Sequence, residues 1–241
     1  MNTTSSRTPL PSVWRTFERT INGELRQFWV QDLPEDQIEL ALEYMQSYFF
    51  RDEPLIKAAN LLEDKAATSS FRKYLRTLFI QRCSLGCYTK LENGNDKLVG
   101  VNCCMKKSKE EKEPDEIRLT ENVKKLFNIV EYVENLRDPY ETLGISEYLA
   151  SLGLIVIPEY RGHNIGLELL CARKSLCIAL GLRASVTSFT APSSQRLAEK
   201  AGFKDLISIT YDEIEERNAD FKVPNINEYS KRIRFMYILY E

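Results

Sequence analysis

The sequence predicts an α/β protein built on a mixed β-sheet flanked by helices, and three stretches carry that prediction. Leu149 to Ile157 is nearly continuously apolar, the pattern of a central strand covered on both faces. Ile165, Leu169, Ala172, Leu176 and Ala179 then recur at steps of four and three, the apolar stripe of a helix lying on a sheet, until Gly181 supplies a stop. Arg183 to Phe189 follows at once as a second strand, and a strand-helix-strand unit with so short a return is expected to be parallel and right-handed. Upstream, Leu85 to Leu91 and Leu98 to Met105 read as strands joined through Glu92-Asn93-Gly94-Asn95-Asp96, where Asn-Gly signals a hairpin.

The other elements follow in chain order. Met1 to Ser12 is rich in Thr, Ser and Pro without an apolar stretch, so residues 1–22 are expected to form a flexible arm, not a signal peptide, and 23–241 a single domain. Arg26 to Gln31 reads as the first strand. A helix from Glu35 keeps Ile38, Leu42, Met45 and Phe49 at helical spacing until Asp52-Glu53-Pro54 breaks it. A second amphipathic segment runs from about Ser69 to Cys83. Lys106 to Glu116 is almost wholly charged and mixed in sign, a solvated loop able to cover the mouth of a site, with a helix after it from Thr120 to Asn135. Beyond the central unit come a helix over Ser193 to Ala201 and two last strands, Leu206 to Thr210 and Arg232 to Tyr240. No internal repeat and no Pro/Gly/Ser-rich linker divides the chain.

With 241 residues, 43% of them hydrophobic, the chain can bury one sizeable core. A net charge of -2 without a basic block gives no support to a nucleic-acid surface and permits a mildly acidic substrate mouth. No segment reaches the roughly 18 consecutive apolar residues of a membrane span, so no membrane partner is expected and the cytoplasm is the expected compartment. Cys83, Cys87, Cys103, Cys104, Cys171 and Cys177 match no common zinc spacing, and His163 is the single imidazole, so free thiols and no metal are expected.

The chemistry concentrates between Val156 and Gly166, V-I-P-E-Y-R-G-H-N-I-G, where an apolar strand runs into a glycine-punctuated turn that opens a helix. A helix start leaves about four amide hydrogens unpaired and carries roughly half a positive charge, so an anion such as a diphosphate settles there without a basic side chain. Gly162 and Gly166 lack a Cβ and let ligand oxygens approach the main chain. An ordinary strand-turn-helix corner is the competing reading. In the parallel unit the anion site lies at the carboxyl end of Val156's strand.

Tyr160-Arg161-Gly162-His163-Asn164-Ile165-Gly166 resembles the acetyl-coenzyme A signature of the GCN5-related N-acetyltransferases, in which Arg or Gln is followed by two residues, Gly, one residue, and Gly or Ala. Asn164 stands where that family usually has Gly, and Asn is the next best residue at positive φ. Gly202-Phe203 and the helix before it look like that family too, and Asp52-Glu53-Pro54-Leu55 resembles its insect arylalkylamine N-acetyltransferase branch. The likeness spans roughly Phe28 to Tyr240.

The resemblance implies a six- to seven-stranded mixed sheet splayed into a V. Its gap, between the strands near Ile155 and Thr187, would admit the pantetheine arm along Ile155, Val156 and Ile157 as if it were an extra strand. Backbone amides from Arg161, Gly162, His163, Asn164, Ile165 and Gly166 would hold the diphosphate, with charge-assisted help from Arg161. His163 is otherwise an exposed turn residue.

Acetyl transfer needs a deprotonated amine, a polarised thioester carbonyl and a proton for the departing thiolate. Glu53 is the candidate base, against the plainer reading of a surface acid in a turn. The phenol commonly found four residues before Gly-Phe is absent, because that position is Ala198. Ser194 and Thr190 align with serines of the insect branch and are the candidates near the thiolate; helix capping is the alternative for Ser193 and Ser194. Tyr44, Tyr48, Phe49, Phe50 and Tyr132 offer aromatic walls, or core.

The expected function is transfer of acetyl from acetyl-CoA to a primary amine, an arylalkylamine first, by direct attack in a ternary complex. Polyamine or agmatine acetylation, protein lysine acetylation and non-catalytic acyl-CoA binding are the alternatives. Acetyl-CoA and a small amine are the expected partners, with the oligomeric state open and a monomer favoured.

Overall fold

The computed structural model describes residues 11–110 and 118–240. Most of the charged stretch expected to cover a site, and the first ten residues of the expected arm, lie outside these. Eight strands form one sheet: β1 (Val13–Ile21), β2 (Glu24–Asp32), β3 (Leu85–Lys90), β4 (Asp96–Ser108), β5 (Glu147–Val156), β6 (Ala184–Phe189), β7 (Lys204–Thr210) and β8 (Arg232–Leu239), in the spatial order β1-β2-β3-β4-β5-β6-β8-β7. All neighbours are antiparallel except β5 and β6, as the strand-helix-strand pattern predicts.

Two expectations at the amino end are corrected. Residues 13–21 are a strand and not part of an arm, so the sheet has eight strands in place of six or seven. β1 pairs with β2 from Arg15↔Val30 to Ile21↔Glu24, and Phe17 stacks on Phe28 at 5.3 Å. The signal was local: Asn22 and Gly23 take φ of 52° and 86°, the two left-handed positions that a tight hairpin turn requires.

The helices alternate with these strands. α1 (Ile38–Tyr44) continues through a π-helical turn at Met45–Phe49 into α2 (Phe50–Asp52). Glu53 is extended at φ -73° and ψ 123°, because Pro54 disfavours helical angles in the residue before it, and α3 (Pro54–Ala58) restarts with proline in its first turn. α4 (Lys65–Phe79), α5 (Glu121–Asn135), α6 (Pro139–Leu143), α7 (Ile165–Ala179) and α8 (Pro192–Lys200) follow. α9 (Tyr211–Arg217) and α10 (Ile226–Tyr229) were not expected; a capping box between Thr210 and Glu213 starts α9. Among the described residues no helix is long and apolar enough to cross a membrane.

The feature that positions the site is a failure of pairing. β5 and β6 share a single paired position, Leu149↔Ser185, and then diverge. On the other side of β5 the register with β4 slips between Asn102 and Cys104, opposite Gly153, which takes φ 98°. A side chain at Gly153 would meet Met45 Cε at 2.6 Å and the Phe49 ring at 3.0 Å, so the π-helical turn closes on the bulge only because that residue has none. β6 stays fully paired to β8 from Ala184 to Phe189. The sheet is thus two stiff halves hinged at Leu149 and open towards Val156.

Candidate active site

At the open end of the V, α7 begins where the glycine turn ends. Gly162 has φ 82°, and Asn164, at φ 58° and ψ 19°, is the residue before the first turn of α7, with no side-chain cap. Asparagine therefore holds the left-handed position that glycine would otherwise fill. Among the described residues the amides of Gly162, His163, Asn164, Ile165 and Gly166 have no acceptor, so successive N–H groups converge at a helix start. A diphosphate fits this donor set, and the edge of β5 left free by β6 fits the amides of a pantetheine arm.

Gly166 is small for a more specific reason than ligand approach. A Cβ there would lie 3.0 Å from Leu197 Cδ2 and 3.3 Å from Leu154 Cδ2, so its absence lets α7 seat against both β5 and α8. Arg161 donates from Nε to the carbonyl of Val156 at 2.9 Å and pairs with Asp52 at 2.8 Å. Asp52 was missed as a partner; it ties the helix break to the glycine turn. His163 does not line the cleft, and its carbonyl accepts from Arg19 Nε at 3.0 Å. Ile155 and Val156 line the cleft, whereas Ile157 is buried behind it with its N–H on Val99 O at 2.9 Å.

The cleft, about 1750 Å³, runs from this turn between β5 and β6 to a second wall built by α2, α3, α4 and α5. Glu53 stands in that wall and is only 9% exposed, so the surface-acid reading is corrected. Its Oε2 accepts the N–H of Ile56 at 2.7 Å, and the Thr190 side chain and the Leu55 main chain lie close enough to favour its charged form. Burial raises the Glu53 pKa above the ordinary carboxylate value, with Ile56, Thr190 and Leu55 pulling the other way. Thr190 is itself held: its carbonyl accepts from Ser230 Oγ at 2.6 Å. The structure therefore brings two of the expected site residues, 137 positions apart, to the same stretch of the cleft.

Ser194 also lines the cleft, and its hydroxyl donates to Ala191 O at 2.8 Å. Neither Ser193 nor Ser194 caps α8; Ala191 holds the cap position without a side-chain bond and Pro192 opens the helix. Ala198 is fully buried among Leu170, Phe189, Phe203 and Met236, a pocket already filled by apolar side chains. Of the five aromatic residues expected in the wall, Phe49 alone reaches it. Phe50 stacks on Phe71 at 4.8 Å in the core, Tyr44 gives its hydroxyl to Leu98 O, and Tyr132 packs on Phe221. Phe71, Tyr74 and Phe127 line the cleft instead, in edge contacts of 5.2–5.3 Å. Glu134 closes that end, accepting from Ser188 Oγ at 2.7 Å and pairing with Lys107 at 3.2 Å.

A sheet split between two parallel strands above a turn of free amides defines the GCN5-related acyltransferase class. No protein-family model and no curated protein sequence matches the chain. Solved structures do. The chain is 34% identical to a protein of the yellow fever mosquito Aedes aegypti carried under the provisional name arylalkylamine N-acetyltransferase 7, over 98% of both chains with a TM-score of 0.89. Arylalkylamine N-acetyltransferase 2 of Aedes aegypti is 18% identical over 89% of this chain and 99% of its own, with a TM-score of 0.74. A polyamine N-acetyltransferase of Drosophila melanogaster that forms N-acetylagmatine is 16% identical over 88% and 99%, with a TM-score of 0.69. The last two share the fold. The chain belongs to the insect arylalkylamine N-acetyltransferase-like branch of the GCN5-related N-acetyltransferases, and is an acyltransferase.

Proposed function

We propose that this acyltransferase moves the acetyl group of acetyl-CoA to the primary amine of an arylalkylamine, with Glu53 as general base. The observation that carries the proposal is a buried carboxyl with a raised pKa, set in the wall of the same cleft whose far end offers five free amides. The amides of Gly162 to Gly166 hold the diphosphate, and Leu154 to Val156 pair with the pantetheine arm. The amine enters past Phe71, Tyr74 and Phe127, whose rings suit an aryl group.

Glu53 takes the ammonium proton, directly or through water; a carboxylate desolvated this far is a stronger base than one in solvent. The freed nitrogen attacks the thioester carbon within the ternary complex, the carbon–nitrogen bond forms, the sulfur leaves with the electron pair of the carbon–sulfur bond, and the second proton that nitrogen sheds as the amide forms goes to that sulfur. Thr190, beside Glu53, and Ser194, whose hydroxyl donates to a main-chain carbonyl, supply the hydroxyls that pass this proton towards the sulfur.

One observation favours a second reading. Glu131 and Asp138 line the end of the cleft opposite the amide turn, beside Glu134 paired with Lys107, and these two carboxylates suit an acceptor with a second cation, as in agmatine or a polyamine. Turnover with tryptamine, dopamine, agmatine and spermidine, followed by release of free thiol, tests both. Arylalkylamine preference is expected, and a higher kcat/KM for agmatine would move the assignment to the second class. No turnover with any of them, alongside firm acetyl-CoA binding, would leave a carrier-binding protein.

A further inference from the structure

Arg173 of α7 is 1% exposed and among the described residues meets no carboxylate. Its Nε donates to Asn102 Oδ1 at 2.8 Å and its Nη1 to Ser185 Oγ at 3.2 Å and Thr187 Oγ1 at 3.0 Å. Asn102, with its oxygen turned to Arg173, donates from Nδ2 to Ser151 Oγ at 2.7 Å and to Gly153 O at 2.9 Å. Ser185 passes its own proton to Leu149 O at 2.9 Å, at the hinge of the V. One guanidinium therefore touches β4 and β6 and, through Asn102, the bulge of β5.

A buried charge without a counter-ion costs several kcal/mol. Neutral dipoles offset part of that cost, and what they leave is a positive potential in a low-dielectric wall, where charge acts strongly. Gly153, Thr187 and Arg173 itself all line the cleft beside the divergence of β5 and β6. Burial pushes the Cys104 thiol up to about 11 and the Cys177 thiol up to about 12, with the Arg173 charge acting in the opposite direction on both.

We infer that Arg173 is a positioning residue for acyl transfer, a fixed cation in the cleft wall that favours the thiolate form of the leaving sulfur. It thereby stands in for the phenol acid that Ala198 excludes. The inference rests on the acetyltransferase reading. In the step it serves, the amine nitrogen, its ammonium proton already on Glu53, bonds to the acetyl carbon, the carbon–sulfur pair stays on sulfur as thiolate, and the second proton shed by nitrogen passes to solvent, from which the thiolate is later protonated through the hydroxyls. A charge present before the reaction begins stabilises that sulfur without reorganisation at the moment of bond breaking.

The test titrates the thiol of bound CoA by its ultraviolet thiolate absorbance, after binding has been established by thermal shift. In the unmodified protein the bound thiol is expected to ionise at lower pH than in free CoA. Arg173→Met is expected to raise its pKa by about one unit, a roughly tenfold lower thiolate fraction, and to lower kcat more than it changes the KM for acetyl-CoA. Asn102→Asp is near-isosteric, neutralises the guanidinium in place, and serves if the Met variant does not fold; it is expected to raise the same pKa. Arg173→Lys should recover part of the shift. A bound thiol that titrates as in solution, or one unmoved by both charge-removing variants, overturns the role of Arg173 and leaves the transferase reading standing. Failure of CoA to bind at all instead removes the transferase reading.

Discussion

The two ends of the cleft are built on different principles. The proposed diphosphate end is one continuous segment, Arg161 to Gly166, whose donors are main-chain amides set by the φ values of Gly162 and Asn164. The proposed acceptor end is assembled from α2, α3, α4, α5, β5 and β6, and its character comes from how those pieces exclude water around Glu53. The first site tolerates changes of side chain as long as the backbone angles survive. The second depends on solvation, so it is sensitive to single atoms.

The largest effect that would test this contrast comes from Glu53→Gln. The amide keeps the shape and an acceptor for Ile56 N–H, yet cannot take the proton, so kcat is expected to fall about 100-fold with little change in acetyl-CoA affinity. Unchanged turnover would remove Glu53 from the mechanism. In the parent protein kcat/KM should rise with pH through the raised Glu53 value, because only the carboxylate is a base.

Stability should run the other way. Between the ordinary value of 4.5 and the raised one, the folded state holds a proton that the unfolded state has released, so stability falls as pH rises across that window. Thermal unfolding of the Gln variant should lack that slope.

A smaller loss is expected at the other end. Gly166→Leu forces atoms against Leu197 and Leu154, and overpacking of this kind costs about 1–3 kcal/mol of stability. Because α7 must shift, acetyl-CoA affinity should drop about tenfold while the Glu53-dependent pH profile keeps its shape. Retained affinity would place the diphosphate elsewhere.

Asp52→Asn comes next. It removes a pair whose side chains are 42% and 45% exposed, worth at most about 1 kcal/mol after screening, so the KM for acetyl-CoA should move no more than about fivefold. Asn164→Gly should be the mildest, within a few tenths of a kcal/mol by thermal unfolding, because both residues accept φ near 58°. A large effect there would mean that the Asn164 side chain contacts the ligand.

Legibility followed the same division. Periodicity revealed β5, α7 and β6, and the glycine spacing revealed the turn of amides without acceptors that opens α7, because both are written in consecutive residues. The Asn22-Gly23 turn was equally local and was passed over, which cost a strand. Glu53 was legible as a carboxylate before a proline, but its burial and its nearness to Thr190 were not. For Tyr44, Tyr48, Phe49, Phe50 and Tyr132 the residues alone left wall and core open, and the structure puts Phe49 in the wall and Phe50 in the core.

What the sequence by itself determined is the set of backbone choices: where strands and helices run, which residues take positive φ, and where free amides gather. These rest on steric preferences within a few residues. The tertiary structure decided the environment of each charge: that Glu53 is desolvated, that Arg161 spends its charge on Asp52, and that Arg173 has dipoles but no carboxylate. Solvation is a property of everything within several ångströms, and the chain brings those neighbours together from positions as distant as 53 and 190.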